Sequence, residues 1–360
     1  MIGQTERLPV RFGGTRGRKP LVMIVQMRTG ASLDEVDAVV HRAESLGLSV
    51  QLNRGTDKTV VAILGSNTGQ LQTDIFAVLP GVDSVTRIMK PYKLAAREFK
   101  RDDTIVSVNG CEIGGKRLVV MAGPCAVESE EQLMDAARIV KAAGASVLRG
   151  GAFKPRTSPF SFQGLQKQGL ELLARVREKY EIPVITEVVD SHDIRLVNKY
   201  TDILQVGSRN MQNYSLLTAV GKTRRPVVLK RGFSCTVTEW LTAADYVLAG
   251  GNSQVILCER GIRTFEDSTR FSFDISSIPI IKKYSHLPVI VDPSHAAGHF
   301  SVVPALARGA VAAGADGLLI EVHPNPKEAL VDGLQSLTPS DFGRLMKELK
   351  AIARSVGRVM

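Results

Sequence analysis

The sequence predicts an α/β protein: a closed (β/α)₈ TIM barrel preceded by a small ferredoxin-like βαββαβ domain. Three observations carry this. Eight short, β-branched apolar runs alternate with helical patterns from Leu118 onward, the rhythm of a parallel sheet buried on both faces. Residues 21–88 carry a separate strand–helix–strand–strand–helix–strand order, which is the ferredoxin-like unit. The length of 360 residues suits one barrel of roughly 250 residues plus a module of roughly 70–100.

The elements follow in order. Residues 1–20 are basic and Gly-rich and read as a flexible extension, without the apolar segment of a secretory signal. Leu21–Met27 is a strand. Ser32 precedes Glu35 by three, a capping box, and Val36, Val39, Val40, Ala43 and Leu46 follow at helical spacing up to Gly47. Ser49–Asn53 and Thr59–Leu64 read as paired strands around a turn at Arg54–Lys58. A second helix is expected over Gly69–Leu79, stopped by Pro80-Gly81, and Val82–Ile88 closes the sheet. The domain thus spans 21–90. Residues 91–103 are charged and read as a linker able to let the module move. In Thr104–Ile113 the Asn109-Gly110 pair predicts a type I′ hairpin, which opens a catalytic barrel spanning 104–360.

The barrel strands are expected at Leu118–Ala122, Ser146–Arg149, Pro183–Val188, Asp202–Val206, Pro226–Lys230, Gln254–Cys258, Pro288–Val291 and Gly317–Glu321. Helical patterns lie between them, as at Glu130–Ala143, Gly164–Tyr180, Thr238–Ala249 and Val302–Ala313, and a last helix starts near Pro339. The alternative is an open doubly wound sheet. It lacks its usual support, because no G-x-G-x-x-G follows the first strand.

Composition narrows the function. The chain is 44% hydrophobic and 23% charged, and no apolar run reaches the roughly 18–20 residues of a membrane helix. The net charge of +10 allows a nucleic-acid binder or an enzyme whose cations converge on an anionic substrate. Helices mix both signs, as at Glu171–Glu181, and no nucleic-acid motif appears, so no nucleic-acid partner is expected. Cys111, Cys125, Cys235 and Cys258 lack paired spacing, which fits a reducing cytoplasm.

In a (β/α)₈ barrel the chemistry sits at the C-terminal strand ends. Here those ends and their loops carry two sets. The first is cationic: Arg149, Lys154, Arg156, Arg209, Lys230 and Arg260. Any one of them read alone is solvated surface charge. Cations at four of the eight strand ends instead imply a polyanionic substrate, since guanidinium forks and ammonium points are what phosphate and carboxylate require. The second set is Cys125, His295, Glu321 and Asp332. One thiol, one imidazole and two carboxylates suit a divalent transition ion, Mn²⁺, Fe²⁺, Co²⁺ or Zn²⁺. Taken singly, each has a bland reading: a buried Cys, a hydrogen-bonded His, an Arg-paired Glu, a solvated loop Asp.

The same residues carry a family resemblance. Gly123-Pro124-Cys125, Arg149-Gly150-Gly151-Ala152-Phe153-Lys154-Pro155-Arg156-Thr157-Ser158-Pro159, Gly207-Ser208-Arg209-Asn210, Leu229-Lys230-Arg231-Gly232, Cys258-Glu259-Arg260-Gly261, Asp292-Pro293-Ser294-His295 and Glu321-Val322-His323 resemble the 3-deoxy-D-arabino-heptulosonate 7-phosphate (DAHP) synthases. The preceding module resembles that of their type I-beta branch. The resemblance implies a metal-dependent aldol-type condensation of phosphoenolpyruvate with erythrose 4-phosphate, the first step of the shikimate pathway. It implies Cys125, His295, Glu321 and Asp332 as metal ligands, and Arg149, Lys154, Arg209, Lys230 and Arg260 as the phosphoenolpyruvate clamp. Lys154, Pro155, Arg156 and Thr157 become the erythrose 4-phosphate floor, with Lys154, Cys125 and His295 nearest the chemistry. A homo-tetramer, with tyrosine or phenylalanine as effector of the module, is the further implication. The rival of the same class is 3-deoxy-D-manno-octulosonate 8-phosphate synthase, which carries an Asn-containing loop where this chain has Lys-Pro-Arg-Thr. The rival of another class is a non-catalytic amino-acid sensor, which has no need of the ligand set.

Overall fold

The computed structural model describes residues 21–54, 58–65, 68, 71–155, 158 and 160–360. The basic extension at 1–20, most of the expected turn at Arg54–Lys58, and Arg156 and Thr157 lie outside the described residues.

The first unit consists of β1 (Leu21–Met27), α1 (Leu33–Ser45), β2 (Ser49–Arg54), β3 (Thr59–Gly65), α2 (Asp74–Ala77) and β4 (Val82–Ile88). Its sheet runs β2-β3-β1-β4, antiparallel throughout. The capping box forms as the sequence implies: Ser32 accepts from the Glu35 amide while Glu35 accepts from the Ser32 amide. Strand alternation buries both faces of the sheet. Met23, Val25, Met27, Val61 and Ile63 pack with Val36, Val39 and Ala43 of α1. Val22, Ile24, Ala62 and Ile88 join the large core on the other side.

Two expectations are corrected here. The second helix is shorter than expected: among the described residues α2 is one turn, Asp74–Ala77, and buries only Phe76, while Gly69 lies outside the described residues. Thr73 makes no side-chain cap, so nothing pins a longer helix. The segment 91–103 is not a loose tether. Tyr92, Leu94, Ala95, Ala96 and Phe99 are buried in the large core. Asp245 accepts hydrogen bonds from the Lys93 and Ala95 amides. Buried His286 bonds the Leu94 carbonyl at 2.7 Å and the Thr104 hydroxyl at 2.8 Å.

The hairpin β5 (Val106–Val108) and β6 (Cys111–Ile113) turns at Asn109 and Gly110, with φ of +46° and +82°, as a type I′ turn requires. Eight parallel strands then close a barrel: β7 (Val119–Gly123), β8 (Val147–Arg149), β9 (Val184–Glu187), β10 (Ile203–Val206), β11 (Val227–Lys230), β12 (Val255–Glu259), β13 (Val289–Val291) and β14 (Gly317–Glu321). Around it lie α3 (Glu130–Ala142), α4 (Gln166–Tyr180), α5 (Ile194–Tyr200), α6 (Tyr214–Gly221) and α7 (Val237–Ala249). The ring continues with α8 (Ser277–Tyr284), the short α9 (Pro293–Ala297), α10 (Val303–Ala312) and α11 (Pro339–Ser355). Ser129, Asn213, Thr236 and Thr338 cap α3, α6, α7 and α11 through their side chains.

The barrel interior is a packed apolar column. Val119, Met121, Val147, Ile185, Ile203, Val228, Ile256, Ile290 and Leu319 meet Val106, Val108 and Ile113 of the hairpin, which seals the N-terminal end. Each such side chain contributes roughly 1.5–3 kcal/mol by leaving water. The apolar column ends toward the C-terminal strand ends, where Arg149, Lys230, Glu259 and Glu321 are buried instead.

Candidate active site

Arg149, Glu187, Lys230, Glu259 and Glu321 end their strands, Arg260 and Asp292 lie one step into the loop, and Cys125 and Arg209 lie two and three steps in. Gly123 lets β7 and β8 approach there: its φ is +151°, and a Cβ would lie 2.2 Å from the Arg149 carbonyl oxygen. Two residues on, buried Cys125 points its Sγ to 3.4 Å from Asp332 Oδ2. Lys154 Nζ lies 3.0 Å from the same sulfur and 3.1 Å from the Cys125 carbonyl oxygen. Donor atoms of Cys125, Glu321 and Asp332 all lie within 4.8 Å of one another.

His295, the fourth expected ligand, is beside this set without belonging to it. Its Nε2 is 3.5 Å from Glu321 Oε1, and its Nδ1 is 2.7 Å from Asp292 Oδ2. That last approach is close but poorly angled, and Nδ1 has no hydrogen-bond partner among the described residues. Burial pushes the His295 imidazole down from its ordinary value, which keeps a nitrogen lone pair available. Asp332 sits at a left-handed backbone position, φ +54°, which brings its carboxylate back over β14.

Electrostatics set the protonation state. Burial, reinforced by Glu321, pushes the Cys125 thiol up to about 12. Burial also works against the Glu321 and Asp332 carboxylates, but it is outweighed by His295 and Arg149 together at Glu321, and by His295, Arg270 and Lys154 together at Asp332. The site therefore holds two carboxylates, an imidazole and a thiol whose proton leaves when a cation replaces it. This donor set, one thiol, one imidazole and two carboxylates, fits a divalent transition ion.

The cationic set divides in two. Arg149 is neutralised internally, 3.0 Å from Glu321 and 2.7 Å from the Pro124 carbonyl oxygen. Lys230 is likewise 2.5 Å from Asp292, a carboxylate held well below its usual range by His295 and Lys230 despite full burial. Arg260 differs: it is buried, makes no ion pair among the described residues, and its Nη1 has no hydrogen-bond partner. Burial pushes its guanidinium down to about 10. Arg209 is exposed beside it, over the Phe233 ring. Pro155 is half-buried on the Lys154 loop.

Sequence reading missed several residues of the site. Gln335 donates to Glu321 Oε2 at 2.7 Å, and Ser294 Oγ accepts from the Glu321 amide at 2.9 Å. Arg270 reaches Gln335 Oε1 at 2.7 Å and lies 3.5 Å from Asp332. Asp292, read only as part of a motif, is the buried anion between Lys230 and His295. The one available signal was proximity: Gln335 follows Asp332 by three residues and Ser294 precedes His295.

The chain is similar to known proteins along most of its length. The model of the DAHP synthetase I family matches residues 103–355, and that of the DAHP synthase ferredoxin-like domain matches residues 23–90. A phospho-2-dehydro-3-deoxyheptonate aldolase of Thermotoga maritima is 46% identical over 335 residues, 93% of this chain and 99% of the relative. A crystal structure of a DAHP synthase from Thermotoga maritima matches with a TM-score of 0.75, covering 94% of this chain and 99% of its own. A 2-dehydro-3-deoxyphosphooctonate aldolase of Geobacter sulfurreducens is 33% identical, over 69% of this chain and 97% of its own length.

Proposed function

The chain belongs to the DAHP synthetase I family, and we propose that its barrel joins phosphoenolpyruvate to D-erythrose 4-phosphate and water, giving DAHP and inorganic phosphate. Its activity is that of a 3-deoxy-7-phosphoheptulonate synthase, in aromatic biosynthesis. The octulosonate reading is the weaker one. Those relatives reach 33% identity over 69% of the chain, against 46% over 93%, and the N-terminal module matches the DAHP synthase module.

The observation that carries the site assignment is the meeting of two chemistries at one barrel end. Cys125, Glu321 and Asp332 come together with His295 alongside, and the cations Arg149, Lys154, Lys230 and Arg260 surround them. We assign Cys125, His295, Glu321 and Asp332 as ligands of a divalent ion, Mn²⁺, Fe²⁺, Co²⁺ or Zn²⁺. Such an ion supplies Lewis acidity for a carbonyl oxygen.

The remaining work falls to the chain's own groups. Arg260 and Arg209 bind the phosphate of phosphoenolpyruvate, because their donors are not spent on carboxylates. Lys230 and Arg149, held by Asp292 and Glu321, orient its carboxylate. Arg156 and Thr157, with Lys154 and Pro155, hold the sugar phosphate so that the aldehyde faces the enol carbon; such positioning replaces much of the entropy cost of a two-substrate encounter. C3 of phosphoenolpyruvate attacks the aldehyde carbon. Lys154 gives a proton to the developing alkoxide oxygen, water adds at C2, and the hemiketal phosphate collapses with loss of inorganic phosphate. The module 21–90 is a feedback switch for tyrosine or phenylalanine in a homo-tetramer.

The test is phosphate release by the purified chain. It should require phosphoenolpyruvate and erythrose 4-phosphate together, stop after thorough chelation, and return with Mn²⁺ or Co²⁺. Full turnover in a verified metal-free sample would overturn the ligand assignment.

A further inference from the structure

Arg260 presents a physical problem that the ion pairs of the site do not solve. It is buried at 3% exposure, lacks a carboxylate partner among the described residues, and has a donor with no acceptor. An unpaired charge out of water is normally expelled or neutralised. Here aromatic faces surround it. The guanidinium carbon lies 3.8 Å from the centroid of Phe271 and 5.0 Å from that of Phe233. The two rings are themselves stacked, 5.3 Å apart and 9° from parallel. Arg209 and Arg263 also lie over Phe233, at 5.4 and 5.6 Å, and Arg270 over Phe271 at 5.9 Å.

The backbone fixes this platform. The Phe271 amide donates to the Ala296 carbonyl at 3.0 Å, beside His295. The Arg263 amide donates to the Phe233 carbonyl at 2.6 Å, tying the β11 and β12 loops together. Gly261, next to Arg260, makes room: its φ is +84° and a Cβ there would lie 2.6 Å from the Phe271 Cβ.

We infer that Phe271, flanked by Phe233, is a positioning residue for phosphate recognition, a ring platform that stands where other cations of this site have a carboxylate. The chemistry explains the choice. A carboxylate partner occupies the in-plane N–H donors of a guanidinium, as Glu321 does at Arg149. A ring face attracts the cation from above and leaves the in-plane fork free. The free fork is what a phosphate dianion takes up in a bidentate contact. Arg260 is thus held charged, oriented and unspent until the anion arrives.

The inference rests on the assignment of Arg260 to the phosphoenolpyruvate phosphate, and the experiment separates the two. Arg260→Ala, Phe271→Leu, Phe271→Tyr, Phe271→Trp and Phe233→Leu are compared in steady-state kinetics for both substrates, with circular dichroism as the check of folding. Arg260→Ala should raise KM for phosphoenolpyruvate at least tenfold. Phe271→Leu should raise the same KM about five- to tenfold, leave KM for erythrose 4-phosphate unchanged and change kcat less than threefold. The aromatic replacements should restore KM to within about twofold. Phe233→Leu, at the longer distance, should give a smaller rise of the same kind, and it carries the test if Phe271→Leu does not fold. If Arg260→Ala raises KM while the leucine variants do not, or if the aromatic variants fail as badly as leucine, the platform is ordinary packing and the inference is overturned. If Arg260→Ala itself leaves KM unchanged, the phosphate assignment falls and the inference with it.

Discussion

Arg149 and Arg260 show how differently one residue type is used at strand ends on opposite sides of the barrel. Sequence reading placed both in one cation ring and could not tell them apart, because the difference lies in what folds over them. Glu321 comes from β14 and neutralises Arg149; rings from two loops cover Arg260. The cluster of Cys125, Glu321 and Asp332 was legible through the strand ends and their loops, and His295 stands beside it. Its Nδ1 faces Asp292 while its Nε2 faces Glu321. Arg156 lies outside the described residues, so its role rests on the Lys154-Pro155-Arg156-Thr157 sequence. Arg156→Ala should raise KM for erythrose 4-phosphate about tenfold or more, the loss of a charge-assisted contact of about 1.5–3 kcal/mol. Equal effects on both substrates in the same assay would show that the loop is misassigned.

At the scale of elements the barrel was readable because each strand is a continuous apolar run ending in a polar residue. All eight expected strands form within two residues of their expected limits. Elements with a weaker apolar signal were not. The one-turn α2 buries a single large residue, and residues 91–103 hide their apolar positions among charges. That segment has a testable consequence at Asp245 of α7. Burial pushes its carboxyl up to about 7, against the lowering effect of the Lys93 and Ala95 amides. The folded value lies above the unfolded one, so the folded state binds the extra proton. Asp245 thus favours folding most at low pH, and its contribution falls as pH rises from about 4 to about 7. In Asp245→Asn this part of the decline should vanish from a series of Tm values across that range. The amides of Lys93 and Ala95 should also exchange faster in the variant, which keeps only one of the two acceptor oxygens. An unchanged Tm profile and unchanged exchange would show that Asp245 does not hold the segment.

At the scale of the whole molecule, the packed segment changes how the module can act. Its anchors, His286 and the Tyr284 carbonyl that accepts from the Arg97 amide, precede β13 and so lie at the barrel end away from the site. The proposed switch therefore requires a neighbouring subunit's barrel as its target, and an effector works only if it binds the closed arrangement better. Truncation should begin near Met89, which keeps the buried Tyr92–Phe99 residues in place. That chain should remain active and lose inhibition by tyrosine or phenylalanine, while the full chain keeps it; a folded but inactive or still inhibited truncation contradicts the switch. The central claim, the aldose that this barrel accepts, has a more direct test. The purified chain is given phosphoenolpyruvate and Mn²⁺ with an equimolar mixture of erythrose 4-phosphate and arabinose 5-phosphate, and the products are resolved by mass. The account expects the seven-carbon product to dominate by at least a hundredfold, whereas a dominant eight-carbon product, or neither, would contradict it.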